Sequence, residues 1–318
     1  MEETPVSIVL ITHGRCSEAL TTVERLRALP AKPKVIVVDN ASADGTAQAL
    51  RQRFPDVLVV GLPRNIGAAA RNEGVARVTT RYVAFCDDDT WWQPGALPMA
   101  CALLDAFPRV GVVTGRLLVG AQQREDPTCA LMHASPLRSE GVPGRAILGF
   151  FAGACVMRVT AFRAVGGYER RLFLGCEEAL MALDLAALGW HMAYVPELVC
   201  HHYPSTSRDP VARRRLLARN HLLITWLRLS VRESLRETLA FAHAVRRDPE
   251  LWPAVASALR ALPWVLADRR VVPPAVEEMR RQVAAARRAH GRMNARVSVE
   301  APSAVDGAVA AAMPRASK

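Results

Sequence analysis

The chain alternates short, continuously apolar runs with longer segments of helical spacing. VSIVLIT (6–12), KVIVVD (34–39), DVLVVG (56–61) and RYVAFCD (81–87) are rich in β-branched residues and are bounded by polar residues or glycine, which predicts strands. Segments near 16–28, 44–53 and 67–77 repeat apolar positions every three or four residues and predict helices. Strands alternating with helices at this spacing form βαβ units, so the reading is α/β, a Rossmann-like and mainly parallel sheet with helices on both faces. Such strands are apolar throughout because helices cover both sides.

Beyond residue 107 the pattern is looser. VGVVTGRLLVG (110–120) and FFAGACVMR (150–158) read as strands around a polar, proline-containing excursion at 121–145. Glu177 to Gly189 has helical spacing and ends on a glycine cap, and HMAYVPE (191–197) is a further strand, followed by Cys200-His201-His202. From about 210 the chain reads as helices rich in Ala, Leu and Arg, and from about 290 as disordered. The expected division is therefore an α/β unit at 1–207, a basic helical region at 208–289 and a tail at 290–318.

Charge sharpens that division. Residues 1–207 hold 20 Lys and Arg against 20 Asp and Glu, whereas 208–318 hold 21 against 10, so the tail carries the whole net charge of +11. In VRESLRETLAFAHAVRR (231–247), Val231, Leu235, Leu239, Ala242 and Val245 share one face with Arg on the others, and LWPAVASALRALPWVLADRR (251–270) adds Trp252 and Trp264. Basic amphipathic helices with Trp lie on anionic membrane surfaces, here through residues 231–270. The plain alternative is helices packed on the rest of the protein with a solvated Arg face. Nucleic acid is not an expected partner, because the aromatics do not interleave with the basic residues.

Other function classes fall away. The seven cysteines show no CxxC pair, so neither a zinc site nor a disulfide framework is signalled and a reducing compartment fits. Acids precede the first apolar run, unlike a signal peptide, and the longest apolar run, AILGFFAGACVM, is shorter than the roughly 20 residues that span a bilayer. A cytoplasmic protein, peripheral to the membrane if the basic helices bind it, is the expectation.

Ligands of open α/β sheets sit beyond the carboxyl ends of the strands. There the chain places Thr12-His13-Gly14, Asp39-Asn40 and Asp87-Asp88-Asp89. Adjacent carboxylates raise one another's pKa unless a cation neutralises them, and a hard divalent ion sharing a diphosphate does so well. An acidic turn or helix cap explains the aspartates equally, and Asp39 alone reads as part of a cap. No GxGxxG follows the first strand, which argues against an NAD site. A haloacid-dehalogenase-like phosphatase would carry its Asp-x-Asp after the first strand, not the fourth. A sugar nucleotidyltransferase would carry a Gly-rich, Arg-containing loop there. Trp91 and Trp92 read either as a sugar platform or as core.

The ordered set resembles the family-2, inverting, nucleotide-sugar-dependent glycosyltransferases of GT-A fold. "SIVLITHGR", "VIVVDNASADGT", "NIGAAARNEG" and "FCDDDTWWQPGAL" are similar to their donor half, and the stretch from "FFAGACVMR" to "VCHH" to their acceptor half. The resemblance implies that Thr12, His13, Asp39, Asn40, Arg71, Asp87 and Asp88 bind the nucleotide. It implies Mg2+ or Mn2+ on Asp89, with Asp87 and His201. It also implies a general base in the Glu177-Glu178 pair, Glu178 by position, where the family usually has Glu-Asp. The implied donor is a nucleotide-diphosphate sugar, the acceptor a glycan, a lipid-linked sugar or a small molecule, and the setting bacterial-type glycan assembly. The altered turn at His13-Gly14 and the altered acidic pair keep a second reading open, a catalytically silent scaffold tethered through its basic tail.

Overall fold

A computed structural model describes residues 4–204 and 210–300. Strands β1 (Val6–Thr12), β2 (Lys34–Asp39), β3 (Leu58–Gly61) and β4 (Tyr82–Asp87) pair in parallel in the order β3-β2-β1-β4. Helices α1 (Cys16–Arg27), α2 (Thr46–Arg53) and α3 (Ala70–Val75) connect them, the last entered through a 3₁₀ turn at Gly67–Ala69. Ile8, Val9 and Leu10 of β1 are fully buried, each contributing about 1.5–3 kcal/mol of hydrophobic burial. The register places Thr12 beside Asp39 and Ile11 beside Asp87, so the three polar strand ends are level at one edge.

After β4 a tight turn leads into a short strand that the sequence pattern does not reveal, β5 (Thr90–Trp92). Then come α4 (Ala96–Ala106), β6 (Val110–Val119), β7 (Arg124–Glu125), α5 (Pro127–His133), β8 (Arg145–Ala146), β9 (Cys155–Arg158), α6 (Val159–Ala164), α7 (Glu177–Ala187) and β10 (His191–His202). The sheet continues β4-β9-β6-β10-β5, with β9 and β5 antiparallel to their neighbours.

Two expectations change here. The strand expected at 150–158 is only β9, because the chain before it turns, the Ala154 N–H donating to the Phe151 carbonyl (3.1 Å), and the Thr90 and Thr114 hydroxyls donate to the carbonyls of Gly153 and Ala154. The 121–145 excursion, to which the sequence pattern assigns no element, holds regular structure. It carries α5, whose Asp126 side chain accepts the Thr128 N–H at its start, and Cys129 and Met132 are buried beneath it.

The expected boundary at 207 falls among 205–209, outside the described residues. Beyond it, α8 (Pro210–Arg228), α9 (Val231–Arg247), α10 (Trp252–Ala267) and α11 (Pro274–Glu300) follow; residues 301–318 of the expected disordered tail are outside the description. Leu180 and Leu183 of α7 share a core with Leu223, Ile224 and Leu227 of α8 and with Ala258, Ala261 and Val265 of α10. Arg228 pairs with Asp184, and Arg171 pairs with Asp268 (2.6 Å) and lies over Trp264. These helices are thus built onto the element that carries the acidic pair. On α9 the apolar stripe is turned outward: Val231, Leu235 and Leu239 are 51–73% exposed, while Val245 is buried.

Candidate functional site

Two arginines supply counter-charge to the three adjacent aspartates, Arg15 to Asp88 and Asp89 and Arg71 to Asp87. Thr12 Oγ1 donates to Asp88 Oδ2 (2.9 Å), and Thr22 Oγ1 donates to the Asp88 carbonyl (2.7 Å). Arg15, at the start of α1, reaches back with Nη1 to Asp88 (2.9 Å) and Asp89 (3.4 Å). Burial pushes the Asp88 carboxyl up to about 6, opposed by Arg15 and reinforced by Asp89. Asp87 pairs with Arg71 from α3, and Gly153 lies so close beneath it that a Cβ there would stand 2.6 Å from Asp87 Oδ2.

At the β2 edge, Asp39 is buried and accepts the Ser42 backbone N–H (3.1 Å) and hydroxyl, as a local cap. Asn40 holds the neighbouring turn, since its Oδ1 accepts the Ile66 N–H (2.8 Å) and its Nδ2 donates to the Gly67 carbonyl (3.0 Å). Both ends of that amide are committed to the chain. His13 is exposed, with Nδ1 2.9 Å from the Asn40 carbonyl. Thr12, His13, Asp39, Asn40 and Asp88 therefore line one edge.

Arg71 joins this edge to the acidic pair. It is 2% exposed, its charge is held against burial by Asp87, and its guanidinium lies 5.6 Å from the Tyr168 ring centre. Its field also reaches Glu177 and Glu178 at the first turn of α7. Burial raises the Glu177 carboxyl, with Arg71 opposing. Burial and then the charge of Glu177 raise that of Glu178. Arg71 Nε and Nη1, Tyr168 Oη and Glu177 Oε2 are all buried without a protein partner. Orphaned buried polar atoms are costly, and four around one point mark a place where a polar ligand is accommodated. A cavity of about 450 Å³ opens beside them, lined by Asn72, Gly166, Gly167, Tyr168, Glu177 and Asp184 among others. Asn72 fastens its wall to α3, with Nδ2 donating to the Tyr168 carbonyl and Oδ1 accepting its N–H, both at 2.8 Å.

The two histidines separate by strand alternation. His201 stacks on Trp91 with ring centres 5.6 Å apart, and its Nδ1 is 2.6 Å from Gln123 Oε1. His202, the next residue, brings Nε2 to 3.5 Å from Asp89 Oδ1. Trp92 is core, and Trp91 is covered by the Arg25 guanidinium 3.7 Å from its ring centre. Among the described residues no three His, Cys, Asp or Glu side chains form a cage for a cation. The Asp89–His202 pair nonetheless fits a hard divalent ion, which takes one or two protein ligands and completes its shell with diphosphate oxygens and water.

Asn72 stands beside Arg71 in the stretch "NIGAAARNEG" that carries the resemblance and His202 beside His201, whereas Arg15 was not singled out from the sequence. Arg15 lies inside the quoted "THGR", and its position between a strand end and a helix start was the available signal.

Comparison with known proteins agrees with this geometry. A family model described as Glycosyl transferase family 2 matches residues 7–166. The chain is 30% identical over 253 residues, covering 65% of itself and 80% of the relative, to the N-acetylglucosaminyl-diphospho-decaprenol L-rhamnosyltransferase of Mycobacterium tuberculosis. It is 31% identical over 220 residues to the pre-mycofactocin glycosyltransferase of the same organism, covering 66% of itself and 45% of that protein. Among solved structures, a mannosyltransferase from Pyrobaculum calidifontis in complex with GDP-Man and Mn2+ superposes with a TM-score of 0.55 at 21% identity, over 90% of this chain and 81% of that one. S. aureus TarS 1-349 in complex with UDP-GlcNAc superposes at 0.56 with 13% identity, over 88% of each chain. The architecture is GT-A.

Proposed function

The chain belongs to glycosyl transferase family 2, a glycosyltransferase of glycan or glycoconjugate biosynthesis, and we propose that it transfers a sugar from a nucleotide diphosphate to an acceptor hydroxyl with inversion, assisted by a divalent cation. The observation that carries the reading is the set of unpartnered buried polar atoms on Arg71, Tyr168 and Glu177, with Arg71 paired to Asp87 of the aspartate edge and Glu177 lining the cavity.

In this reading Thr12, His13 and Asp39 border the nucleoside, while Asn40 holds the turn behind them. Asp88 is fixed by Thr12 and Arg15, and Asp87 anchors Arg71. Asp89 with His202, rather than His201, would hold Mg2+ or Mn2+, which when bound supplies Lewis-acid stabilisation of the leaving diphosphate. Glu178 accepts the acceptor hydroxyl proton as that oxygen forms its bond to the sugar C1 and the bond from C1 to the diphosphate breaks. A base whose carboxyl is raised toward neutrality is matched to that task, and such help is worth about 10²–10⁴-fold. Glu177 helps to hold the carboxyl of Glu178 above its ordinary range and faces the cavity, where the acceptor enters. Single displacement from the opposite face inverts the anomeric carbon.

The M. tuberculosis relative's name gives an acceptor built on diphospho-decaprenol, which supports a lipid-linked acceptor here. No helix among the described residues is long and apolar enough to cross a membrane. The outward stripe of Val231, Leu235 and Leu239, flanked by Arg232, Arg236 and Arg247, supports docking on an anionic lipid surface. Pure protein with Mn2+, a panel of nucleotide sugars and a polyprenyl-diphosphate-linked acceptor should yield product of inverted anomeric configuration by NMR; retention of configuration would end the proposal. Co-flotation with anionic but not neutral vesicles, lost in L235S/L239S, checks the docking face, and equal flotation of the variant would remove it.

A further inference from the structure

The segment that delivers the acidic pair is held by a residue far along the chain. Immediately before α7, Phe173 and Cys176 both have positive φ (65° each), Phe173 at the centre of a γ-turn closed by the Leu174 N–H on the Leu172 carbonyl (2.9 Å) and Cys176 in the left-handed conformation, and side-chain-bearing residues rarely take either. Such backbone persists only where its surroundings over-determine it. On one side the Ala68 N–H donates to the Phe173 carbonyl (2.7 Å). On the other, α8 inserts Asn220, which is completely buried, with Nδ2 2.8 Å, 3.1 Å and 2.7 Å from the carbonyls of Leu172, Leu174 and Gly175. Its Oδ1 accepts from Arg219 Nη1 (2.8 Å), so the amide cannot turn over without losing that bond. Arg219 Nη1 also donates to the Arg171 carbonyl (3.1 Å), and a Cβ on Gly175 would stand 2.6 Å from Leu217 of α8.

Three carbonyls of one short loop thus converge on one neutral side chain that offers two N–H groups. A carboxylate of the same shape would repel them, and an apolar side chain would leave them unpaired in the interior. We propose that Asn220 is a positioning residue for the transfer reaction, setting the 172–176 loop so that Glu177 and Glu178 stand before Arg71. The inference rests on the reading of Glu178 as base. It adds that the C-terminal helices are part of the catalytic unit. The pair faces Arg71, Asp87 and, from α8, Arg213.

The test uses the full chain with Asn220→Ala and Asn220→Asp. Three quantities are read: kcat, the dissociation constant for a nucleotide diphosphate with Mn2+ by calorimetry, and the carboxyl titration of Glu177 and Glu178 by ¹³C NMR. The expected result is a loss of kcat of tenfold or more in both variants, nucleotide affinity within twofold of wild type, and a glutamate pair that titrates closer to the ordinary carboxylate range. Unchanged kcat and titration, or nucleotide affinity falling in step with kcat as a general loss of structure would dictate, overturns it. If Asn220→Ala does not fold, Asn220→Ser, which keeps one hydroxyl donor, is read in its place and must show the same pattern at reduced size. If wild type transfers no sugar, the reading of Glu178 has failed instead. The carboxyl titration still reports whether Asn220 sets the loop.

Discussion

Gly67 is the point at which a single methyl group should separate the two halves of the site. It sits at φ +64° at the start of the turn into α3, and an added Cβ would lie 2.0 Å from the Phe173 carbonyl oxygen and 2.6 Å from its carbon. Neither position is tolerable, so in Gly67→Ala the 172–176 loop must retreat. The left-handed backbone costs alanine about 1–2 kcal/mol. Loss of the Ala68 to Phe173 hydrogen bond adds about 0.5–1.5 kcal/mol, so about 1.5–3.5 kcal/mol in all, before any repacking of the loop. Gly95→Ala is the control, with φ +90° and nothing within 4 Å of its Cβ, so it carries the backbone term alone. Urea unfolding at one temperature, with kcat measured alongside, reads both variants. Gly67→Ala should be the less stable by at least about 1 kcal/mol. It should also lose kcat at least tenfold, which Gly95→Ala retains. Equal stabilities and equal turnover would show that the Gly67–Phe173 contact does not set the loop.

Arg71→Met should reduce kcat by about 10²–10³-fold, as loss of one preorganised charge in a buried site does. Folding should change modestly, because the Asp87 side chain is 40% exposed and regains water; a kcat within threefold of wild type would remove Arg71 from the mechanism. Because burial raises both glutamate carboxyls, the folded state binds more protons than the unfolded one. Stability is then full below the ordinary glutamate pKa of about 4.3 and falls as pH rises through the raised values, while the fraction of ionised base rises over the same window. The acid limb of kcat should lie above the ordinary carboxylate range and move down in Glu177→Gln; an unmoved limb would refute the coupling. Arg15→Ala removes a charge-assisted bond from buried Asp88 and should lower stability by about 1–3 kcal/mol. Thermal unfolding without divalent ions checks this, and an unchanged midpoint would show that Arg15 is not the resident counter-charge.

The donor half was legible because its information is local: each apolar run ends where the strand ends, so the polar residues that follow fall on one edge by construction. The two histidines show where that logic stops. Alternation puts His201 and His202 on opposite faces, but the register of β10 shifts between Val195 and Val199, so parity counted from the start of the strand does not carry to its end. The contacts that join the halves, Asn72 to Tyr168 and Asn220 to Leu172, span 96 and 48 residues and leave no mark on either local pattern. The tail's composition showed basic amphipathic helices but not which face they bury. Packing decided that: α8 and the Ala258, Ala261 and Val265 face of α10 share a core with α7, while Val231, Leu235 and Leu239 of α9 and Trp252, Leu259 and Leu266 of α10 face solvent.

The account turns on nucleotide and base being handled by different carboxylates. Calorimetric titration of a nucleotide diphosphate with and without Mn2+, into wild type, Asp89→Ala and Glu178→Gln, with sugar transfer assayed on the same samples, separates them. The account predicts metal-dependent binding that Asp89→Ala loses and Glu178→Gln keeps, with transfer abolished in both. Binding unaffected by Asp89→Ala, or transfer at the wild-type rate by Glu178→Gln, would contradict it.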